Sequence, residues 1–425
     1  MMKKGITSAL VLMVSASMLL AACGGAAESK TDTGASAGKG DKKATINFVH
    51  WRGEDTESFK SIIAKFEQEN PNIHVDMTVY SSGDPYTNGL QALILSGEGA
   101  DVFASAPGAQ FTNLLKSQTY EDLTNAPLLK NFSPDLIEAG KADGKQYAIP
   151  YQLVYNVPVY NKGMLDKLGL QPPKDWDGFL AMCQKLKESG VTPILYGYDV
   201  TPGQLINTLV MNNMPDKDAF PKFQTGAAKV TDPWFVKTLE QFKVLVDKEY
   251  IQKNATGTKY EGALALFAQE KGAILAAGSY AMATIAKQNP NIVQGLLAPI
   301  TTSAGDMKYE GVHTTTFMLG INKKSKFKEE AKKFVEFLTK PEIASQYAND
   351  TGQLLTVNNV KYESKELGEQ GKWTTKKTVF QPRLTITNKK VETAVNESLN
   401  LIVSGESVQK TIAATQAEID RNVTK

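Results

Sequence analysis

Cysteine and histidine are scarce in this chain: its 425 residues hold two cysteines, Cys23 and Cys183, and three histidines, His50, His74 and His313. Two cysteines cannot build the disulfide framework that staples a small secreted scaffold. Three scattered histidines, with no His-Glu-x-x-His and no paired-cysteine spacing, carry no metal-site signature, so neither a metal nor another cofactor is expected. An excess of one charge is missing as well. Lys plus Arg number 47 against 45 Asp plus Glu, and the first 22 residues take Lys3 and Lys4 and no acid, which leaves 45 against 45. A formally neutral chain lacks the summed positive field that draws a protein to nucleic acid or anionic lipid, so no nucleic-acid partner is expected. Fixed-period repeats and coiled-coil heptads are absent, and only one long apolar run occurs, Gly5 to Ala22. That excludes solenoids and multi-span membrane proteins. What is present is ordinary: 42% hydrophobic and 22% charged residues, enough to bury a core over a length that suits two to three compact units.

The single apolar run follows Lys3 and Lys4 and closes on Leu20-Ala21-Ala22-Cys23. Residues 1–22 therefore read as an export signal, slightly short for a membrane span and ending in small residues that fit a peptidase groove. The four closing residues resemble the lipobox of bacterial lipoproteins, whose cysteine becomes the lipidated N-terminus; Cys23 is the expected lipidation position. Several acyl chains on one residue hold a protein firmly, each buried methylene contributing about 0.8 kcal/mol. Cys183 is then the one remaining thiol, and its context Phe179-Leu180-Ala181-Met182-Cys183 reads as a helix interior. Residues 24–43 contain no large apolar side chain, so 23–43 is expected to be the lipidated cysteine and a flexible tether reaching roughly 25 Å from the membrane.

From Thr45 the pattern changes. Ile46, Phe48 and His50 alternate with Asn47 and Val49, which predicts a strand; Phe59, Ile62, Ile63 and Phe66 follow at helical spacing, and Asn70-Pro71 stops the helix. A second alternation, Ile73, Val75, Met77 and Val79, completes a βαβ unit whose crossover implies a parallel pair. Further strands are expected at 101–104, 146–149, 157–160 and 193–196. Helices are expected at 90–95, 177–189, 236–250, 260–269, 328–339 and 391–403, so helix should exceed strand.

Several segments together resemble one family. Ile46 to Trp51, Phe66-Glu67-Gln68-Glu69-Asn70-Pro71, Gly99-Ala100-Asp101-Val102, Gly144 to Pro150, Pro172-Pro173-Lys174-Asp175-Trp176, Gly278-Ser279-Tyr280 and Ile321-Asn322-Lys323-Lys324 are similar, in order and spacing, to the extracellular solute-binding proteins of carbohydrate ABC importers, the maltodextrin-binding-protein-like class. The resemblance implies an α/β fold of the two-lobed, periplasmic-binding-protein-like (type II) kind, with three hinge crossings and a ligand cleft between the lobes. The crossings are expected near Gln152 to Asn156, His313 to Thr316 and Leu354 to Asn358, in loop-like stretches that absorb a rotation. One lobe would comprise 44–152 plus 315–354 and the other 156–312 plus 358–425. The implied function is a lipid-anchored receptor on the outer face of the bacterial cell membrane. It would bind a monosaccharide or oligosaccharide, act as a monomer and pass its ligand to ABC permease subunits, touching the membrane through its anchor alone.

A sugar offers C–H faces to aromatic rings and hydroxyl edges to fixed donors and acceptors. Trp51, Arg52 and Glu54 follow the first strand, where a βα loop opens on the expected cleft; the alternatives are a packed ring and two solvated charges. Tyr151 and Tyr155 flank the first crossing and His313 the second, each either a ligand contact or hinge packing. Ser105 lies in the loop after the strand at 101–104. Ser279 and Tyr280 match a sugar-stacking loop of the family, with tyrosine where tryptophan is commoner. Trp176 and Trp234 are assigned to structure. No catalytic residue is expected, although a lipid-anchored glycoside hydrolase stays open, since it needs only two carboxylates about 5 to 9.5 Å apart across a sugar cleft.

Overall fold

Two main β-sheets and one two-stranded pair hold the strands of the described residues. The computed structural model describes residues 43–423 except 98, 298, 299 and 304; the expected signal segment, Cys23 and nearly all of the tether lie outside the described residues. In chain order the strands are β1 (Ala44–His50), β2 (Ile73–Val79), β3 (Val102–Ser105), β4 (Lys141–Ala142), β5 (Lys145–Gln146), β6 (Ala148–Tyr155), β7 (Val159–Asn161), β8 (Thr192–Leu195), β9 (Gly272–Leu275), β10 (Gln294–Leu296), β11 (Gly311–Ile321), β12 (Leu354–Leu355) and β13 (Thr378–Phe380).

The larger sheet runs β12-β6-β11-β3-β1-β2, with β13 beside the start of β11. Its parallel half is the βαβ unit foreseen above: β1 and β2 pair from Ala44–Ile73 to His50–Val79. The helix between them, Thr56–Glu69, buries Phe59, Ile62, Ile63 and Phe66. It ends before Pro71, whose missing N–H and fixed φ cannot extend it. Phe48 meets Phe59 and Phe334 edge-on, at 5.2 and 5.5 Å between ring centroids, so strand and helices interlock through aromatic contacts. On the far side β11 lies antiparallel to both β3 and β6.

The smaller sheet runs β10-β7-β9-β8. Helix Trp176–Glu188 packs on it, capped by the Asp175 carboxylate, which accepts from the Gly178 amide at 2.8 Å. Cys183 is fully buried in that helix, and burial pushes its thiol well above the ordinary range. Trp234 stacks on Phe223 at 5.5 Å, the structural role assigned to it. Helices Thr201–Val210, Pro233–Asp247, Lys389–Val403 and Val408–Asn422 complete this half.

The three expected crossings fall in β6, β11 and β12, not in loops; all three strands belong to the larger sheet, and β13, after the third of them, pairs with β11 in the same sheet. Gln152 pairs with Thr316 on one side and Leu355 on the other, Leu153 pairs with Thr315 and Leu354, and Tyr155 pairs with His313. The crossings are therefore neighbouring strands, β6, β11 and β12. Three extended segments running side by side satisfy one another's backbone donors and acceptors, which separate loops would have to leave to water. The expected strand at 146–149 likewise splits, into β5 and a β6 that continues to Tyr155.

Candidate functional site

β1 ends in a tight turn that carries the first three candidates. Trp51 is half-buried and wedged edge-on between Tyr86 (4.9 Å, 65°) and Phe317 (5.1 Å, 71°). Phe317 itself has φ +49° inside a strand, a region L-residues with bulky side chains rarely enter. Its ring is enclosed by Trp51, Phe59 and His50, and that packing holds the backbone there. Arg52 is not solvated. It is buried, with Nε 2.7 Å from Asp55 Oδ2 and Nη1 3.2 Å from Glu54 Oε1. Burial opposes its charge, yet Asp55, the Tyr347 hydroxyl and Glu54 together raise its pKa above the usual guanidinium range. Tyr347 donates to Asp55 Oδ2 at 2.6 Å and accepts from Gln152 Nε2 at 2.7 Å. A chain of buried hydrogen bonds thus links the turn after β1 to the crossing strand β6.

Ser105 and Tyr151 are fully enclosed, Tyr151 with its ring 5.3 Å from that of Tyr347. Ser105 accepts from the Tyr120 hydroxyl at 2.7 Å, and Tyr151 donates to the Leu338 carbonyl at 2.9 Å. Tyr155 is buried against Trp373 at 5.7 Å, and burial, aided by Tyr362, pushes its phenol up to about 12. Opposite it, His313 places Nδ1 2.9 Å from Thr378 Oγ1, and burial lowers its pKa to about 4, so the ring is neutral at pH 7.

The other half contributes the turn Ser279–Ala281 after β9. Gly278 is required there: a Cβ would fall 2.8 Å from the Tyr280 ring and 3.0 Å from the Tyr155 carbonyl. Ser279 Oγ accepts from the Tyr155 amide at 3.1 Å, tying this turn to β6. Tyr280 lies 6.1 Å from Tyr260. Burial raises both phenols above their ordinary range, and Arg52 opposes the rise at each. Arg52, in the turn after β1, thus lies within electrostatic reach of the two tyrosines of the other half. Contact across the seam is direct. A Cβ on Gly108 would come within 2.5 Å of the Leu384 carbonyl, and one on Gly352 within 2.6 Å of the Ala283 side chain.

Arg52 pairs with Glu54 beside Trp51, and Ser279, next to Tyr280, meets Tyr155, which in turn pairs with His313, whereas Ser105 is enclosed elsewhere against Tyr120. The sequence reading missed Tyr260, Trp373, Asp55, Tyr347, Arg383 and Asn396. One signal was available: the chain has only three arginines, at 52, 383 and 421, and an arginine fork chosen over lysine points to fixed hydrogen-bond geometry. Three carboxylates near the seam are engaged, Asp55 by Arg52 and Tyr347, Glu54 by Arg52 and Glu392 by Arg383 and Lys389, while Glu261, beside Tyr260, is exposed. Among the described residues no group of three or more His, Cys, Asp and Glu side chains is placed to hold a metal. Two surface hollows, of about 480 Å³ beside Phe66 and Lys333 and about 340 Å³ beside Asn47 and Asp101, contain none of the candidate side chains. What the seam offers is aromatic faces beside hydrogen-bonding edges, the complement of a polyhydroxylated ring.

Comparison with known proteins bears on the same halves. A family model described as bacterial extracellular solute-binding protein matches residues 52–345. The multiple sugar-binding protein of Streptococcus mutans is 30% identical over 366 residues, 81% of this chain and 81% of its own length. The melibiose/raffinose/stachyose-binding protein MelE of Bacillus subtilis is 25% identical over 338 residues, 77% of each. In fold, the chain resembles the solved structure of the solute-binding protein RafE in complex with raffinose, with TM-score 0.77 and 23% identity over 90% of this chain and 100% of that one.

Proposed function

Since the chain belongs to the family of bacterial extracellular solute-binding proteins, we propose that it is the sugar receptor of an ABC importer, closing two lobes around an oligosaccharide and releasing it intact to the permease. The observation that carries this reading is that the turn of Ser279 and Tyr280, in the smaller-sheet half, meets β6 of the larger sheet where Ser279 Oγ accepts from the Tyr155 amide, with Tyr260 6.1 Å from Tyr280 on its own side and Trp51 just after β1 on the other. Rings on both sides of one seam can stack on both faces of a sugar only when the halves approach, so ligand contacts favour the closed form and shift its population. The lobes would be 44–152 plus 315–354 and 156–312 plus 358–425, turning about the ribbon formed by β6, β11 and β12. Lipid on Cys23 would hold the receptor at the outer membrane face. The sugars in the names of the relatives, melibiose, raffinose and stachyose, define the class to test first. Calorimetry of the mature chain against these three, maltotriose and glucose, followed by chromatography of the recovered sugar, checks the reading. Saturable binding with intact sugar is the expected result; cleaved product would turn the assignment to a glycoside hydrolase, and no binding to any sugar would remove the ligand class.

A further inference from the structure

Resting on that receptor reading, we propose that Arg383, Asn396 and Tyr280 form a subsite that grips adjacent hydroxyl groups of an uncharged sugar unit. The turn Pro382–Thr385 lies at the seam between the halves, because the neighbouring Leu384 carbonyl abuts Gly108. Arg383 is held in place on two sides: its amide donates to Asn207 Oδ1 at 3.0 Å, and its Nη1 donates to Glu392 Oε1 at 2.6 Å. Its Nε–H is sheltered from solvent and has no partner. Asn396 shares the same anchor, its Nδ2 donating to Glu392 Oε1 at 3.4 Å, while its Oδ1 is sheltered and has no partner.

The donor and the acceptor sit close together. Gly203 separates them, and a Cβ added there would lie 3.4 Å from Asn396 Nδ2 and 3.5 Å from Arg383 Nε. The third group is the Tyr280 hydroxyl, sheltered and without a hydrogen bond of ordinary geometry: a Cβ on Gly278 in its turn would lie 3.0 Å from the Tyr155 carbonyl, Tyr155 pairs with His313, and the His313 carbonyl accepts from the Gln381 amide, two residues before Arg383. Desolvated polar atoms left unpaired lose their bonds to water and gain nothing in return. A donor and an acceptor thus sit side by side, with a hydroxyl able to do both on the turn that adjoins them across β6 and β11, and a vicinal pair of sugar hydroxyls answers this set.

Charge selects among sugars. Glu392 is 3% exposed and holds both Arg383 and, through Oε2, Lys389 Nζ at 3.1 Å. Burial works against its charge, but these two cations keep its carboxyl below the ordinary range, so it is ionised at neutral pH. The Arg383 charge is thereby answered inside the protein, while the second cation on Glu392, Lys389, is solvated at the surface. What Arg383 still presents is a directed N–H, which suits a hydroxyl.

Calorimetry tests the subsite with the sugar of the panel that wild-type protein binds, its singly deoxygenated derivatives and a uronate-terminated counterpart. Three variants remove one atom group each while sparing the fold: Arg383→Lys keeps a cation for Glu392, Tyr280→Phe keeps the ring, and Asn396→Ala removes the amide. Circular dichroism confirms folding of each. At least tenfold weaker binding is expected in every variant, and one deoxygenated sugar should bind poorly to wild type yet lose no further affinity in the matching variant. Variants that bind within twofold of wild type, or tighter binding of the uronate, overturn the subsite alone. A wild-type protein that binds no sugar overturns the receptor reading and the subsite with it.

Discussion

His50 shows how one buried side chain sets a pH response. It is fully enclosed, its Nδ1 accepts from the Arg52 amide at 3.1 Å, and its Nε2 has no partner. Burial lowers its pKa to about 4; Asp55 pulls the other way and Arg52 assists. His313 is lowered to about 4 by burial as well. Because the folded pKa lies below the unfolded value of about 6.5, the unfolded chain takes up protons first as pH falls. The stability from each neutral ring is complete above about pH 6.5 and is lost on the way down to about pH 4. A shift of this size corresponds to about 3 kcal/mol per residue. Urea unfolding should accordingly show a lower midpoint at pH 4.5 than at pH 7, and His50→Gln should shrink the difference; an undiminished drop in the variant would assign the pH response elsewhere. At this scale the sequence indicated residue type better than role. The sequence marks Trp51 and Tyr280 as rings beside the expected cleft; in the structure Trp51 packs between Tyr86 and Phe317, and Tyr280 lies 6.1 Å from Tyr260. Arg52 was weighed between ligand contact and solvated charge, and burial in an ion pair came from Asp55, a residue the periodic pattern leaves unremarked.

At the scale of elements, local signals were legible wherever one face of a helix or strand meets a core. The spacing of Phe59, Ile62, Ile63 and Phe66 predicts the helix Thr56–Glu69, and Asp175 with Trp176 marks the start of Trp176–Glu188. Bonds between distant elements left no such mark. Tyr347 and Asp55 meet across 292 positions, and nothing periodic in either segment anticipates it. Tyr347→Phe tests what this contact does. The ring is kept, but Asp55 loses a donor and Gln152 loses its acceptor, so about 1 to 3 kcal/mol of stability should disappear in chemical denaturation. If the link also positions Arg52 at the seam, sugar affinity should fall in the same variant. An unchanged unfolding midpoint would show the chain of bonds from the turn after β1 to β6 to be dispensable.

The molecule as a whole has a larger and a smaller main sheet, with β6, β11 and β12 paired side by side in the larger one and direct contact across the seam at Gly108 and Gly352. A ribbon of this kind can twist as a unit while both cores stay packed, which suits rigid-body closure better than three independent loops. Small-angle scattering should show a smaller radius of gyration with a saturating sugar than without; equal radii, with binding confirmed by calorimetry, would mean that the halves do not move. Apolar periodicity, capping residues and the order of short motifs already determined the helices, the parallel βαβ unit and the family, because each depends on neighbours within a turn or two of chain. Tertiary structure alone decided that the crossings are strands, that Arg52 is buried and that Arg383 and Asn396 share Glu392 as an anchor. Backbone pairing, desolvation and the convergence of polar side chains depend on which distant segments meet, and one strand or helix read by itself contains no record of its eventual partner.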